Sequence, residues 1–172
     1  MALRQNPPTN APPQRTHPAL RHRTMGFSIY YTAKRDTPLS PIESQRIDAI
    51  AQSFDVTADI ERYAHTGKGL NWESFTRYDT SRLTGAEVLS GATALPDNKP
   101  FAMHKGARHW VECLNRIRRE ALADAKWSVQ IEDDVLLWDD KHGWHDNASD
   151  GLAALWLGCL LSSALRLFSR RA

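Results

Sequence analysis

The stretch that decides the fold is FSIYYTAK, residues 27–34, because its side chains alternate between two kinds of environment. A period of two, built from aromatic and β-branched residues, predicts a strand with one buried face. The inward row would be Phe27, Ile29, Tyr31 and Ala33, and the outward row Ser28, Tyr30, Thr32 and Lys34. Such alternation is typical of a sheet that is covered on only one side.

The next segment, SPIESQRIDAIAQSF at residues 40–54, predicts a helix that begins at Ser40. Ser40 is a good N-cap, Pro41 suits the first helical position, and Glu43 completes a capping box. One apolar face then follows at helical spacing, formed by Ile47, Ile50, Ala51 and Phe54.

Three further strands and one long helix complete the predicted domain. The strands cover Trp72–Tyr78, residues 86–96 and the WSVQIEDD stretch at 127–134. The helix lies within 97–125, capped by Asp97 or Asn98, and Gly106 weakens it by roughly 1 kcal/mol relative to alanine. The order strand, helix, strand, strand, helix, strand predicts an α+β fold of the ferredoxin-like βαββαβ type, an antiparallel sheet with two helices on one face.

Both ends of the chain differ from this domain in composition. Residues 1–24 contain four arginines, five prolines and no acid, which predicts a disordered tail and leaves the remainder slightly acidic, since the whole chain carries +2. The expected organisation is therefore a tail at 1–24, a globular domain at 25–140, a polar linker at 141–150 and an apolar C-terminal helix at 151–172. Two cysteines without a CxxC pattern favour a reducing, cytoplasmic setting.

The C-terminal segment GLAALWLGCLLSSALRLFSRRA carries no charge from Gly151 to Leu165. Three interpretations stay open: a helix docked on the uncovered sheet face, a helix bound to a partner, and a membrane anchor over 151–168. A spanning helix needs about 20 apolar residues. The terminal arginines would hold the C-terminus inside the cell, which disfavours an ordinary span.

The acidic stretch QIEDDVLLWDDKHGWHD, residues 130–146, contains the candidate metal ligands Asp133, Asp134, His142 and His145. A divalent cation bound there would support a metal-dependent hydrolase or nuclease. Neighbouring residues of a strand point to opposite faces, which would turn Asp133 toward the core and separate it from Asp134. A solvated strand end followed by a turn is therefore favoured, with no cofactor.

Aromatic residues Trp72, Phe75 and Tyr78 are the candidate binding residues. Their interleaving with Arg77 is similar to base-stacking platforms, but the slightly acidic domain and the missing ribonucleoprotein motifs argue against nucleic acid. These rings are expected to pack in the core or to bind a protein.

His109 and Cys113 are spaced i, i+4 on the long helix, a spacing that could activate a thiol nucleophile. Cys113 borders the apolar stripe, and no oxyanion donor or third group accompanies the pair. A buried, unreactive thiol is therefore favoured.

Taken with the absence of a complete catalytic pattern, these features predict a non-catalytic protein-binding or regulatory module, most simply of an immunity type. A metal-dependent hydrolase and a membrane tail-anchored adaptor are the alternatives. The expected partner is another protein.

Overall fold

A computed structural model of the chain describes residues 26–79 and 83–146. The described part is α+β, with three helices and one five-stranded antiparallel sheet in the order β2-β1-β3-β4-β5. The strands are β1 (Ser28–Lys34), β2 (Glu87–Ala94), β3 (Lys126–Ile131), β4 (Asp134–Asp139) and β5 (Gly143–His145). The helices are α1 (Pro41–Ser53), α2 (Thr57–Thr66) and α3 (Ala102–Glu120).

The first strand is an inner strand of the sheet, and it pairs with β2 on one side and β3 on the other. Ile29, Tyr31 and Ala33 are buried at 0%, 2% and 0% exposure, which confirms the predicted inward row. They meet the buried faces of α1 and α3, which contribute Ile47, Ile50, Trp110, Leu114 and Ile117. We call this side of the sheet the covered face.

Gly91 of β2 lies opposite Tyr31 and is the position where the covered face is most crowded. A Cβ atom there would stand 2.2 Å from the Thr76 carbonyl oxygen and 2.5 Å from the Tyr31 ring. The Tyr31 hydroxyl donates to that same carbonyl at 2.7 Å. Glycine therefore lets the segment before β2 approach the sheet closely enough to satisfy the buried tyrosine.

The predicted capping box at the start of α1 is confirmed. Glu43 N donates to Ser40 Oγ at 3.2 Å, and Ser40 N donates to Glu43 Oε2 at 2.8 Å. Arg35 also donates to Glu43 Oε2, at 2.7 Å. The Arg35 guanidinium, followed by the Ser40 groups, lowers the pKa of Glu43 to about 2.

The long helix begins later than predicted, because Asp97 and Asn98 are used elsewhere. Both backbone amides donate to the Asn71 side-chain oxygen, and Asn71 Nδ2 donates to Asp97 Oδ1 at 2.8 Å. Phe101 takes the N-cap position instead, in the left-handed region at φ 62°. Gly106 is also more than a weak point, since a Cβ there would meet Pro96 Cδ at 2.3 Å.

The ferredoxin-like strand arrangement is not confirmed. The predicted second strand, Trp72–Tyr78, forms only an isolated bridge between Arg77 and Gly91. The sheet instead gains β4 and β5 from the stretch that was interpreted as a solvent-exposed turn. The sheet therefore continues past residue 140, and Trp144 of β5 is buried at 7% exposure. The helix α2 was not predicted, because its N-cap residue, Val56, gives no side-chain cap and the helix buries no residue.

The predictions for the N-terminal tail at 1–24 and the apolar helix at 151–172 lie outside the described residues. Within residues 26–79 and 83–146, no helix combines the length and the apolar character needed to cross a membrane.

Candidate functional site

The side of the sheet opposite α1 and α3 carries exposed apolar side chains from β1 and β4. Because side chains alternate, the outward residues of β1, β2, β3 and β4 share this side. The pairing places Ala92, Tyr30, Gln130 and Val135 in one row across the strands. Thr32 pairs with Ser90 and with Ser128, and Leu137 of β4 pairs with His145 of β5. We call this surface the open face.

Three large hydrophobic side chains stand exposed on the open face: Tyr30 at 39%, Val135 at 54% and Leu137 at 43%. Their neighbours in the rows are small or uncharged, and Thr32 Oγ1 lies 3.2 Å from Ser90 Oγ in a hydrogen bond. Formal charges occur only at the two ends of the strands. Lys34 and Lys126 are opposite each other in the β1–β3 register at one end, and the acidic β3–β4 turn lies at the other end.

That acidic turn corrects the sequence interpretation of Asp133. The third strand ends at Ile131, so Glu132 and Asp133 form a two-residue hairpin loop and Asp133 is exposed, not turned to the core. Glu132 adopts φ 50°, as primed hairpin turns require. Its Oε1 accepts from Ser28 N at 2.6 Å, and its own amide donates to Ser28 O at 3.1 Å. This loop fastens the beginning of β1.

The four candidate metal ligands are not brought together. Asp133 and Asp134 lie at the start of β4, and His142 follows its other end, about 16 Å away along the strand. His145 pairs with Leu137 between these ends. Among the described residues, no group of three or more His, Cys, Asp or Glu side chains is placed to hold a metal ion.

The acids beyond β4 have local structural partners. Asp139 Oδ1 accepts from the backbone amides of His142 at 2.8 Å and of Lys141 at 3.0 Å. These amides, that of His142 most strongly, lower the pKa of Asp139. Asp140 Oδ1 accepts from the Trp138 indole at 2.7 Å. The two carboxylates therefore stabilise the turn between β4 and β5 by accepting hydrogen bonds from within the chain.

The three candidate aromatic residues have three different environments. Trp72 is 8% exposed and packs against His109 and Trp110, at ring centroid distances of 5.1 and 6.2 Å. Phe75 stacks on Tyr31 at 4.9 Å with an interplanar angle of 6°. Tyr78 is 40% exposed beside β2, where its amide donates to Ser90 O. They therefore do not form one surface.

The possible thiol nucleophile is enclosed. Cys113 is fully buried, and burial raises the pKa of its thiol to about 12. His109 uses Nε2 in a 2.9 Å hydrogen bond with Phe54 O, which belongs to the connection after α1. A protonated thiol and a histidine engaged with the backbone do not form an activated pair.

Sequence reasoning also missed a stacked arginine. The Arg118 guanidinium lies 4.3 Å from the Trp138 ring centroid and 5.1 Å from that of Trp144. Partial burial against these rings lowers the pKa of Arg118. The apolar run VLLW at 135–138, interpreted as a turn, was the signal for β4 and hence for this cluster and for Val135 and Leu137.

No family model matches the sequence, and neither a curated protein nor a solved structure matches it. What the chain does must therefore be inferred from its own residues.

Proposed function

We propose that this chain is a non-catalytic protein-binding module that recognises its partner through the open face. The observation that carries the proposal is the exposure of Tyr30, Val135 and Leu137 on one uncharged sheet surface. Exposed apolar side chains that form a contiguous patch are typical of interaction sites, whereas single ones are ordinary. Tyrosine is also a residue type enriched in protein interfaces.

The rest of the described chain supports binding over catalysis. The thiol of Cys113 is buried and protonated, and the acids at 139–140 accept hydrogen bonds within their own turn. Cys113, the candidate nucleophile, therefore lacks the activating base that covalent catalysis requires. A binding role uses the surface that the fold leaves uncovered.

The charges at the ends of the open face define the chemistry of the partner. Glu132 and Asp133 make one end acidic, and the centre carries no formal charge. At the other end, Lys34 is already paired with Glu87 at 3.3 Å. The complementary partner is a protein segment with an apolar side and a cationic end. Electrostatic attraction at the rim would set its direction, and the apolar centre would supply most of the affinity.

A photocrosslinking residue placed at position 137 of the full-length chain in its native cell tests this proposal. We expect adducts with one partner protein, because Leu137 is an exposed residue of the open face. The matched control is the same residue at position 42 on α1, where Ile42 is 79% exposed but lies away from the sheet. The adduct should disappear when Val135→Glu is added.

Two outcomes would overturn the proposal. Equal adducts from positions 137 and 42 would show contact without specificity. A crosslink within the chain, from position 137 to residues 151–168, would show that the protein covers its own open face.

We also infer that the sheet is an extended form of the ferredoxin-like arrangement. Arg77 bridges Gly91, and Tyr78 N donates to Ser90 O at 2.8 Å, which supports residues 72–78 as a reduced edge strand beside β2. Counted in this way, the four predicted strands would follow the βαββαβ order, with β4 and β5 added at the far edge. Slow amide exchange at Tyr78 would support this, and exchange as fast as in an unfolded peptide would contradict it.

A further inference from the structure

On the covered side of the sheet, a cavity of about 290 Å³ lies between α1 and the segment at 74–77. About half of its lining is apolar, including Phe54, Phe75 and Trp110, and the rest is polar, including Asp48, Asp55 and Arg77. This volume is close to the lower limit for small-molecule sites, which are largely apolar with a few polar groups. We call it the α1 cavity, and it lies on the other side of the sheet from the open face.

Two hydrogen-bond donors at this cavity have no acceptor among the described residues. Trp110 is 1% exposed, and its indole Nε1 is buried without a hydrogen-bond partner. The same holds for Nη1 of Arg77, although this atom lies 3.3 Å from Asp48 Oδ1 as an ion pair. A buried donor without a partner costs about 1–3 kcal/mol, so an acceptor supplied by a ligand would be strongly favoured.

Among the described polar groups around the cavity, only Asp48 pairs with one of these two donors. Arg77 Nη2 donates to Ser44 Oγ at 3.4 Å, which is a long contact. Asp55 Oδ1 already accepts from the hydroxyl of Thr57 at 2.6 Å and from its amide at 3.1 Å. Asp48 is the one acid that competes for Arg77, and its side chain is 63% exposed.

We propose that the α1 cavity binds a small organic carboxylate with an apolar body. The carboxylate accepts from the Trp110 indole N–H and from Arg77 Nη1, and the apolar body lies against Phe54 and Phe75. A charged acceptor is preferred to a neutral one because hydrogen bonds between ionised groups are roughly twice as strong. A guanidinium is planar and presents N–H donors in a fixed fork, which suits carboxylate recognition.

The test is a titration of the ¹⁵N-labelled full-length chain with 3-phenylpropionate, followed through the indole N–H resonances of its six tryptophans. Trp110→Phe assigns the Trp110 resonance by its disappearance. We expect a saturable downfield shift of this resonance, as a new hydrogen bond produces. The neutral amide of the same acid should bind at least about tenfold more weakly.

Two substitutions with opposite expected effects separate binding from a purely structural role. Arg77→Gln should weaken 3-phenylpropionate binding at least about tenfold. Asp48→Asn should tighten binding about three- to fivefold, because it frees Arg77 from a competing acceptor. Arg108→Gln, at an exposed position of α3, removes the same charge away from the cavity and should leave the affinity unchanged.

A Trp110 resonance that does not move at about 10 mM ligand would overturn the proposal. So would equal binding of acid and amide, or an Arg77→Gln affinity equal to that of Arg108→Gln. If Arg77→Gln unfolds the chain, the Asp48→Asn result decides: unchanged or weaker binding contradicts the proposal.

Discussion

Tyr30 and Tyr31 are neighbours in the chain, yet they belong to opposite sides of the sheet and have opposite environments. Tyr31 is 2% exposed, bonded through its hydroxyl to Thr76 O and Thr93 Oγ1, and burial raises the pKa of that hydroxyl. Tyr30 is 39% exposed among small uncharged residues. The same residue type therefore stabilises the fold on one face and remains available for contact on the other. Burial, rather than residue type, therefore distinguishes the two faces of this sheet.

The largest difference between the covered face and the open face is expected in the reactivity of thiols. In a Cys159→Ser background, native Cys113 should react with iodoacetamide at pH 8 about 10³-fold more slowly than a Ser128→Cys thiol on the open face. The reason is that burial raises the pKa of Cys113 to about 12, so little thiolate forms. Its rate should still rise with pH where the Ser128→Cys rate has levelled off, as alkylation followed by mass spectrometry would show. Similar alkylation rates at pH 8 would mean that the packing of α3 on the sheet does not bury the Cys113 thiol.

Truncating each tyrosine sharpens the same contrast in stability. Tyr31→Ala should lower the free energy of unfolding by about 3–5 kcal/mol, because it leaves a cavity and removes the partner of a buried carbonyl. Tyr30→Ala should lower it by less than about 1 kcal/mol. Urea unfolding followed by circular dichroism measures both. Equal losses would mean that the open face is covered in the native protein.

Gly91 and Ala92 provide a third comparison within β2. Gly91→Ala should cost about 2–3 kcal/mol, because the new methyl group would overlap the Thr76 carbonyl and the Tyr31 ring. Ala92→Ser, on the open face, should change stability by about 0.5 kcal/mol or less. Thermal unfolding of the two variants distinguishes these values, and a tolerated Gly91→Ala would place the 74–77 segment farther from the sheet.

The smallest effect is expected at Val135. Val135→Thr keeps the β-branched shape at an exposed strand position, so the free energy of unfolding should change by about 0.5 kcal/mol or less. Leu136→Ala, one residue further and 4% exposed, should cost about 2–5 kcal/mol. A Val135→Thr loss above about 1 kcal/mol, measured by urea unfolding, would show that this side chain is buried by something on the open face.

The sequence predicted those elements that depend on residues close together in the chain. The capping box at Ser40 and the alternation of residues 27–34 predicted α1 and β1 directly, and the α+β class followed. The open face was implied as well, because Tyr30 was assigned to the outward row. By contrast, Trp72–Tyr78 has strand-forming residues but makes one bridge, since Trp72 and Phe75 turn to the core between the helices and the sheet.

The α1 cavity and the Arg118 cluster depend on contacts between distant segments, so no local pattern indicated them. Arg77 and Trp110 are separated by 33 positions in the sequence, and only the packing of α3 brings them to one cavity. In the acidic stretch, local geometry accounts for side chains whose residue types suggest a site. Its carboxylates suggested ligands, but hairpin and turn geometry explains Glu132 and Asp139 through their backbone partners.

The contact between Asn115 and β5 has a consequence for the opening motions of the sheet. Trp144 N donates to Asn115 Oδ1 at 2.9 Å, and Gly143 leaves room for that side chain, because a Cβ there would lie 2.4 Å from the same oxygen. A three-residue terminal strand ordinarily frays on its own. Here the Trp144 amide is released only when α3 moves away, so its hydrogen exchange should be as slow as that of the strands at the centre of the sheet. The edge of this sheet would then open together with its core.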